Sequence, residues 1–296
     1  MRPILLLAIP VLVLLAAVIV SSLAAPAAKA AGAVHYVTTI APLGALVSEL
    51  AGEDVTVTVL LPPGASPHSF APRPSDASAA SNATALIMIG PALDDWAARL
   101  QTTTRITALD LLPKDHARHA DGSPCGLGHE HGDLDPHFWL DPLALAAIAP
   151  LLAELLAEHD PAAADTYRSN AQIFAAAMQT LHYELAAQSY VSGVVSAHRS
   201  FAYFLNRYGI ADLGIVSPVP GAEPSPSHLR TLVARIKDHP DALVCTEPQL
   251  DPRPASVLAE AAAVRSITLD PLACATERGA LATMIQRNAA TLRATP

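Results

Sequence analysis

The feature that most constrains the fold of this chain is an alternation between short β-prone runs and longer runs rich in Ala and Leu, which begins near residue 34. Such alternation is typical of βαβ units, in which a helix connects two parallel strands. The predicted strands are residues 34–39, 55–60, 85–90, 105–109, 191–197, 214–219, 242–246 and 266–269. The predicted helices are residues 42–51, 92–101, 142–158, 200–208, 226–237, 252–263 and 277–293. The pattern therefore predicts an α/β protein with four strands on each side of a central segment.

The central segment, residues 161–188, is predicted to be one continuous helix. It is rich in Ala and has no internal Pro or Gly, and apolar residues such as Phe174, Met178 and Leu181 recur at helical spacing. A helix of about 28 residues would be about 42 Å long at ~1.5 Å per residue. We therefore expect this helix to separate an N-terminal lobe, residues 31–160, from a C-terminal lobe, residues 189–296.

The first 30 residues have the three parts of a secretory signal peptide. Arg2 supplies a positive charge, residues 4–20 form an apolar run, and Ala28-Lys29-Ala30 is a small-x-small cleavage site. The apolar run is slightly shorter than the ~20 residues that span a bilayer, although an uncleaved membrane anchor is the alternative. The sequence therefore predicts a cleaved signal peptide, residues 1–30, and an exported mature protein.

The charge of the mature chain limits the partners that it can attract. Without Arg2 and Lys29 the 18 basic residues become 16, against 27 acidic residues, which gives a net charge near −11. Such a chain has no electrostatic reason to bind nucleic acid, since that binding depends on Lys and Arg contacts with phosphates. We therefore exclude nucleic acid as a partner.

A histidine-rich segment interrupts the alternation between strands and helices. Residues 114–133 read KDHARHADGSPCGLGHEHGD and contain His116, His119, His129 and His131. The segment has neither hydrophobic periodicity nor an apolar face, so it is predicted to be a loop.

Three other histidines and one aspartate occupy a different setting. His68, His137 and His198 each stand beside a predicted strand end or helix start, and Asp270 ends the last predicted strand. Open α/β sheets bind ligands at such positions. Three imidazoles and one carboxylate are also a plausible tetrahedral set of zinc ligands. Spacing alone leaves the alternatives open: each His can be a solvated or hydrogen-bonded loop residue, and Asp270 can be the N-cap of a helix that begins with Pro271.

Six sequence segments carry a resemblance to a known family. They are LLPPGASPHSFAPRPSD, DPHFWLDP, SAHRSFAYFLNRYGI, EPSPSHL, CTEPQLDP and LDPLA, in this order along the chain. Together they resemble the zinc-binding members of the cluster A-I, or metal-receptor, solute-binding proteins of bacterial ABC transporters. The resemblance implies an α/β fold of two (β/α)4 lobes with parallel sheets, joined by one long rigid backbone helix.

The same resemblance implies a metal site in the cleft between the lobes. Its ligands correspond to His68, His137 and His198, with Asp270 at a fourth position that water or a loop residue can also occupy. The histidine-rich loop then resembles an insertion that scavenges zinc weakly and passes it to the deep site. The alternative for this loop is a solvated acidic segment that binds metal only incidentally.

The resemblance also bears on the three cysteines. Three is an odd number, so in an oxidising compartment at least one thiol is left over. Zinc receptors of this kind commonly carry a disulfide in the C-terminal lobe, which implies a bond between Cys245 and Cys274. Cys125, inside the histidine-rich loop, would then be a free thiol.

The function that the resemblance implies is transport rather than catalysis. The chain is expected to be a monomeric periplasmic receptor that captures Zn²⁺ and delivers it to the inner-membrane ABC permease of a zinc importer. A secreted zinc hydrolase would need a carboxylate base near the metal; Glu223 and Glu247 are candidates, but neither lies in a zincin-type helix motif. A manganese or iron receptor of the same fold would carry a carboxylate in place of His198.

Overall fold

Two parallel β-sheets organise the computed structural model, which describes residues 34–53, 55–119, 134–217 and 223–294. The first sheet consists of β1 (His35–Thr38), β2 (Thr56–Val59), β3 (Ala85–Met88) and β4 (Arg105–Thr107). The second consists of β5 (Gly193–Ser196), β6 (Ala211–Ile215), β7 (Leu243–Thr246) and β8 (Arg265–Thr268). Their strand orders are β2-β1-β3-β4 and β6-β5-β7-β8, so both sheets have the same topology. The predicted signal peptide lies outside the described residues.

The central strands are continuous apolar runs because helices cover both of their faces. Strand β3 reads ALIM, and every residue of β3, β5 and β7 is buried. Parallel sheets require such coverage, since their crossover helices pack on both sides. The edge strands β2 and β8 are more exposed, as the sequence of β8, RSIT, indicates.

Eight α-helices connect and cover these strands in the described part of the chain. They are α1 (Ala41–Ala51), α2 (Pro74–Asn82), α3 (Pro142–His159), α4 (Ala164–Ala186), α5 (Ala202–Arg207), α6 (Pro226–Ile236), α7 (Arg253–Ala262) and α8 (Ala280–Thr291). Several begin with Pro in the first turn, where the missing N–H needs no partner. Asp141 caps α3, because its Oδ1 accepts a hydrogen bond from Leu143 N at 3.0 Å.

Three elements differ from the sequence prediction. Helix α2 was not predicted, because PSDASAASN has no apolar face and buries only Asp76 and Ala80. The helix predicted at residues 92–101 is instead a 3-10 helix, Asp95–Arg99. The sixth strand begins three residues earlier than predicted, at Ala211, and ends at Ile215.

The predicted central helix is present in a slightly shorter form. A 3-10 turn, Pro161–Ala163, leads into α4, whose 23 residues span about 34 Å at ~1.5 Å per residue. The buried residues of α4, among them Phe174, Met178 and Leu181, recur every three or four positions and pack along α3. Helix α3 is long and apolar enough to cross a membrane by composition alone, but more than half of it is buried in the protein.

The largest buried apolar cluster extends through both groups of strands. It runs from Tyr36 in β1 through α3 and α4 to Phe204 in α5 and Leu292 after α8. Polar contacts also attach α4 to the first group: Tyr36 Oη lies 3.3 Å from Tyr167 Oη, and Asn170 Nδ2 donates to Leu50 O at 3.0 Å. A core that passes through the central helices resists bending there, because interiors are close-packed.

Turns and helices that flank the two sheets also contact each other. Trp139 Nε1, near the start of α3, donates a hydrogen bond to Pro271 O after β8 at 2.8 Å. Glu49 of α1 accepts a hydrogen bond from Gly279 N and forms an ion pair with Arg278. The fold class is therefore the predicted one, two four-stranded α/β lobes joined by a long helix. The exact lobe boundaries stay a prediction.

Candidate metal centre

Each of the three predicted histidines lies at a one-turn 3-10 helix beside the cleft. His68 lies within Pro67–Ser69, after β2, and His137 immediately precedes Phe138–Leu140. His198 follows β5 and precedes Arg199–Phe201. The first two belong to the N-terminal lobe and the third to the C-terminal lobe. Short turns after strand ends place side chains at the edge where open α/β sheets bind ligands.

The three imidazole rings converge. Their centroids are 5.7 Å apart for His68 and His137, 5.3 Å for His68 and His198, and 5.2 Å for His137 and His198. One ring nitrogen of each lies within 4.8 Å of the others. His137 is buried and the other two are largely buried. In the described residues this is the one group of three or more His, Cys, Asp or Glu side chains with metal-ligand spacing.

An oxygen atom lies close to the far side of each ring. His68 Nδ1 lies 2.9 Å from Ala92 O, His137 Nδ1 lies 2.7 Å from Asp135 Oδ1, and His198 Nδ1 lies 2.8 Å from Glu247 Oε1. A carbonyl or carboxylate oxygen can only accept, so Nδ1 of each ring carries the proton. With its proton on Nδ1, an imidazole that carries no second proton presents the lone pair of Nε2 to the centre of the cluster.

This arrangement fits a tetrahedral cation. The Nε2 atoms of His137 and His198 are 3.4 Å apart. A tetrahedral zinc with Zn–N bonds of ~2.0–2.1 Å holds two ligand nitrogens about 3.3–3.4 Å apart. Two lone pairs facing each other at this distance repel unless a cation or a proton lies between them. His68 Nε2 is also buried without a hydrogen-bond partner, which a bound cation would provide.

Burial and charge shift the pKa values of two of these imidazoles in opposite directions. Burial, together with the nearby His137 and His198, lowers the pKa of His68 from 6.5 to about 4. Burial alone would lower the pKa of His198 too, but the adjacent carboxylate of Glu247 outweighs it and raises that pKa. His68 is consequently neutral at neutral pH, whereas His198 holds a proton more strongly.

Asp270 does not join the three histidines in this structure. Its Oδ1 accepts hydrogen bonds from Gln249 Nε2 at 2.8 Å and from Leu272 N at 3.0 Å. Asn288 binds the backbone N and O of Asp270 as well. Asp270 Oδ1 is thus engaged in the turn that follows β8, where no helix begins at Pro271, and Asp270 as the fourth ligand stays a prediction.

Two carboxylates that support the histidines were not assigned this role from the sequence. Asp135 stands two residues before His137 and accepts hydrogen bonds from both its backbone N, at 2.9 Å, and its ring. Glu247 follows β7, the neighbour of β5, so its side chain comes out beside His198. For Glu247 the sequence signal is an acidic residue that follows the strand next to a candidate ligand, a position that the sequence analysis considers only for a hydrolase base.

The histidine-rich loop remains a prediction. His116 Nε2 lies 3.9 Å from Asp115 Oδ2, and His119 forms an isolated bridge with Leu134. Neither belongs to the three-histidine cluster. His129, His131 and Cys125 lie outside the described residues.

The predicted disulfide is not formed. Cys245 and Cys274 are free thiols, the first buried in β7 and the second partly exposed. The pairing of β7 with β8 places Ile267 beside Cys245, and the chain has left the sheet before it reaches Cys274. Burial is also the main cause that raises the pKa of the Cys274 thiol to about 12.

Two four-stranded parallel lobes around a long helix, with converging imidazoles between them, define a solute-binding protein of the metal-receptor class. A crystal structure of ZnuA is similar to this one with a TM-score of 0.74 and 27% identity, covering 88% of this chain and 99% of that chain. The chain belongs to the family described as zinc-uptake complex component A, periplasmic (ZnuA), whose model matches residues 37–295. The predicted family resemblance and fold class are thereby confirmed.

Two curated relatives extend this similarity. The high-affinity zinc uptake system protein ZnuA of Yersinia pestis is 29% identical over 269 residues, which cover 80% of this chain and 82% of that protein. The zinc-binding protein AdcA of Streptococcus pyogenes serotype M3 is 26% identical over 292 residues, covering 90% of this chain and 56% of that protein. The chain thus spans about half the length of AdcA.

Proposed function

We propose that this protein is a periplasmic receptor that binds one Zn²⁺ between its lobes and delivers it to an inner-membrane ABC permease for import. The observation that carries the proposal is the 3.4 Å separation between His137 Nε2 and His198 Nε2, which is the distance between two nitrogen ligands of one tetrahedral zinc. The names of the relatives, a zinc uptake protein and a zinc-binding protein, support zinc as the cargo.

The proposed ligands are His68, His137 and His198, with a fourth position that water or a loop residue can take. Neutral imidazoles suit zinc, whereas manganese prefers more oxygen donors. Asp135 and Glu247 orient two of these ligands and supply negative charge behind them, as carboxylates behind metal-binding histidines do. The net charge of the centre with Zn²⁺ bound is then close to neutral.

The site does not favour hydrolysis. A hydrolase would need a carboxylate free to take a proton from a metal-bound water. Glu247 is the nearest earlier candidate, but its Oε1 already accepts from Ser200 Oγ at 2.8 Å and faces His198 Nδ1. We therefore propose a receptor without catalytic activity, exported by a cleaved signal peptide and acting as a monomer. The proposal includes the loop histidines His116, His119, His129 and His131 as a weaker, auxiliary zinc site.

Titration of the mature protein with zinc and manganese against competing chelators tests the proposal. One tight zinc per chain is expected, with manganese bound far more weakly. Replacing the exposed His159 with Ala is the matched control, since it removes an imidazole remote from the cluster and should leave affinity unchanged. Tighter binding of manganese than of zinc would contradict the proposal.

A further inference from the structure

His68 differs from the other two histidines in what holds it. His137 and His198 face carboxylates, whereas His68 Nδ1 faces the backbone carbonyl of Ala92 at 2.9 Å. Ala92 has φ = 69°, one of two non-glycine residues with positive φ in the described chain. A side chain in this left-handed region costs about 1 kcal/mol, so neighbouring contacts must hold the backbone there.

Asp95 Oδ2 accepts a hydrogen bond from Ala92 N at 3.3 Å, and the turn that leads into Ala92 is held by Asp94. It is fully buried and accepts hydrogen bonds from Ile89 N, to Oδ2, and Gly90 N, to Oδ1, both at 2.8 Å. Its Oδ2 also accepts from Thr39 Oγ1, after β1. Gly90 has φ = 133°, and a Cβ there would lie 2.8 Å from Thr107 Cγ2. The carboxylate of Asp94 thus closes the turn that aims the Ala92 carbonyl at His68.

The same segment also holds the chain on either side of His68. Trp96 Nε1 donates a hydrogen bond to Pro67 O at 2.9 Å. The Trp96 ring packs edge-on against Phe70, with centroids 4.8 Å apart. Residues 89–96, which we call the Asp94 turn, therefore hold the ring of His68 and the backbone that carries it.

We propose that Asp94 is a positioning residue for His68: the Asp94 turn holds the imidazole with its proton on Nδ1 and Nε2 aimed at the cargo ion. Asp94 itself contacts no ligand atom, and its effect reaches the site through Ala92. The part of the inference that concerns affinity rests on the proposed zinc binding. The part that concerns the tautomer of His68 holds for the protein without metal.

The Asp94→Asn variant tests the inference, because an amide cannot accept from every N–H and O–H that the carboxylate now satisfies. In the metal-free protein, long-range ¹H–¹⁵N spectra of the histidines should show His68 with its proton on Nδ1 in wild type. The variant should lose this single tautomer. Zinc affinity should fall about 10–100-fold, as for other outer contacts of metal-binding histidines.

Asp76→Asn is the matched control. Asp76 is also a buried carboxylate, and its Oδ2 accepts from Arg73 N at the start of α2, but it has no hydrogen bond to the Asp94 turn. This control should lower stability without altering the His68 spectrum or the affinity. Ala92→Gly is the conservative variant: glycine adopts positive φ freely and keeps the carbonyl, so both readouts should be retained.

Trp96→Phe keeps the experiment decisive if Asp94→Asn does not fold. It removes only the N–H that reaches Pro67 O and should produce a smaller loss of affinity with a broadened His68 signal. The inference would be overturned if folded Asp94→Asn had an unchanged His68 spectrum and the zinc affinity of the control. If only Trp96→Phe folds, the same result in that variant would overturn it. If wild type shows the Nδ1 tautomer and binds no zinc, the positioning stands and the proposed function fails.

Discussion

The two lobes have the same strand order and contribute unequally to the site. The N-terminal lobe supplies His68 and His137, two of the three histidines of the proposed metal site. The C-terminal lobe supplies only His198, backed by Glu247. Because the two sheets have the same topology, equivalent strand ends are available for ligands in both lobes. The turns that follow those strands determine how many histidines each lobe contributes.

The lobes differ less in how they join the core. Both bury side chains in the cluster that includes α3 and α4, and each also has a smaller cluster of its own, of ten residues under α6 and α7 in the C-terminal lobe and of six residues, among them Val37 and Leu86, in the N-terminal lobe. A metal bound by both lobes would therefore connect two lobes that each have a separate core beside the shared one. This comparison leads to four predictions.

The largest effect is expected for His198→Ala, which removes the ligand of the C-terminal lobe. Zinc affinity should fall more than about 100-fold, beyond the usual loss for an outer contact, because only the two imidazoles of the other lobe remain. Competition titration measures the loss. Full affinity in this variant would show that the C-terminal lobe takes no part in binding.

Removal of zinc should be the next largest effect. At a free zinc concentration of 100 times Kd, binding stabilises the folded protein by about 2.7 kcal/mol, or roughly 5–10 °C in Tm. Calorimetry with and without a chelator measures this difference, and hydrogen exchange should report protection near His68 and near His198. Protection confined to one lobe would contradict a bridging ion.

Glu247→Gln and Asp135→Asn compare the carboxylates of the two lobes. Each should lower zinc affinity about 10–100-fold, because the imidazole that it supports loses a charged partner. The buried Glu247 also holds Ser200, so its variant should show the larger loss. The exposed Glu260→Gln is the control, and titration of all three variants decides whether the two carboxylates act alike.

The smallest effect is expected for Asp270→Asn. The carboxylate is directed at Gln249 and Leu272, so zinc affinity should change less than about threefold, or ~0.65 kcal/mol. The same titration measures it, with Gln249→Ala as a companion that frees the Asp270 carboxylate. A loss comparable to that of His198→Ala would make Asp270 the fourth ligand after all.

Much of the fold could be predicted from the sequence, because its signals are local. Apolar runs such as ALIM in β3 and the three- and four-residue spacing along α4 depend only on neighbours in the chain. Helix α2 was not predicted because its mostly polar surface has no hydrophobic periodicity. The bounds of the sixth strand depend on its pairing with β5, which composition alone does not reveal.

The sequence by itself determined the class of fold and the placement of the three histidines beside strand ends or a helix start. Only the tertiary structure decided their partners, since Ala92, Asp135 and Glu247 come from three different parts of the chain. It also showed that Asp270 Oδ1 is bonded within the turn after β8, and that Cys245 and Cys274 form no disulfide, because the chain leaves β8 before it reaches Cys274. The physical reason is the same throughout: residue type limits which bonds a side chain can form, and packing selects the one that is formed.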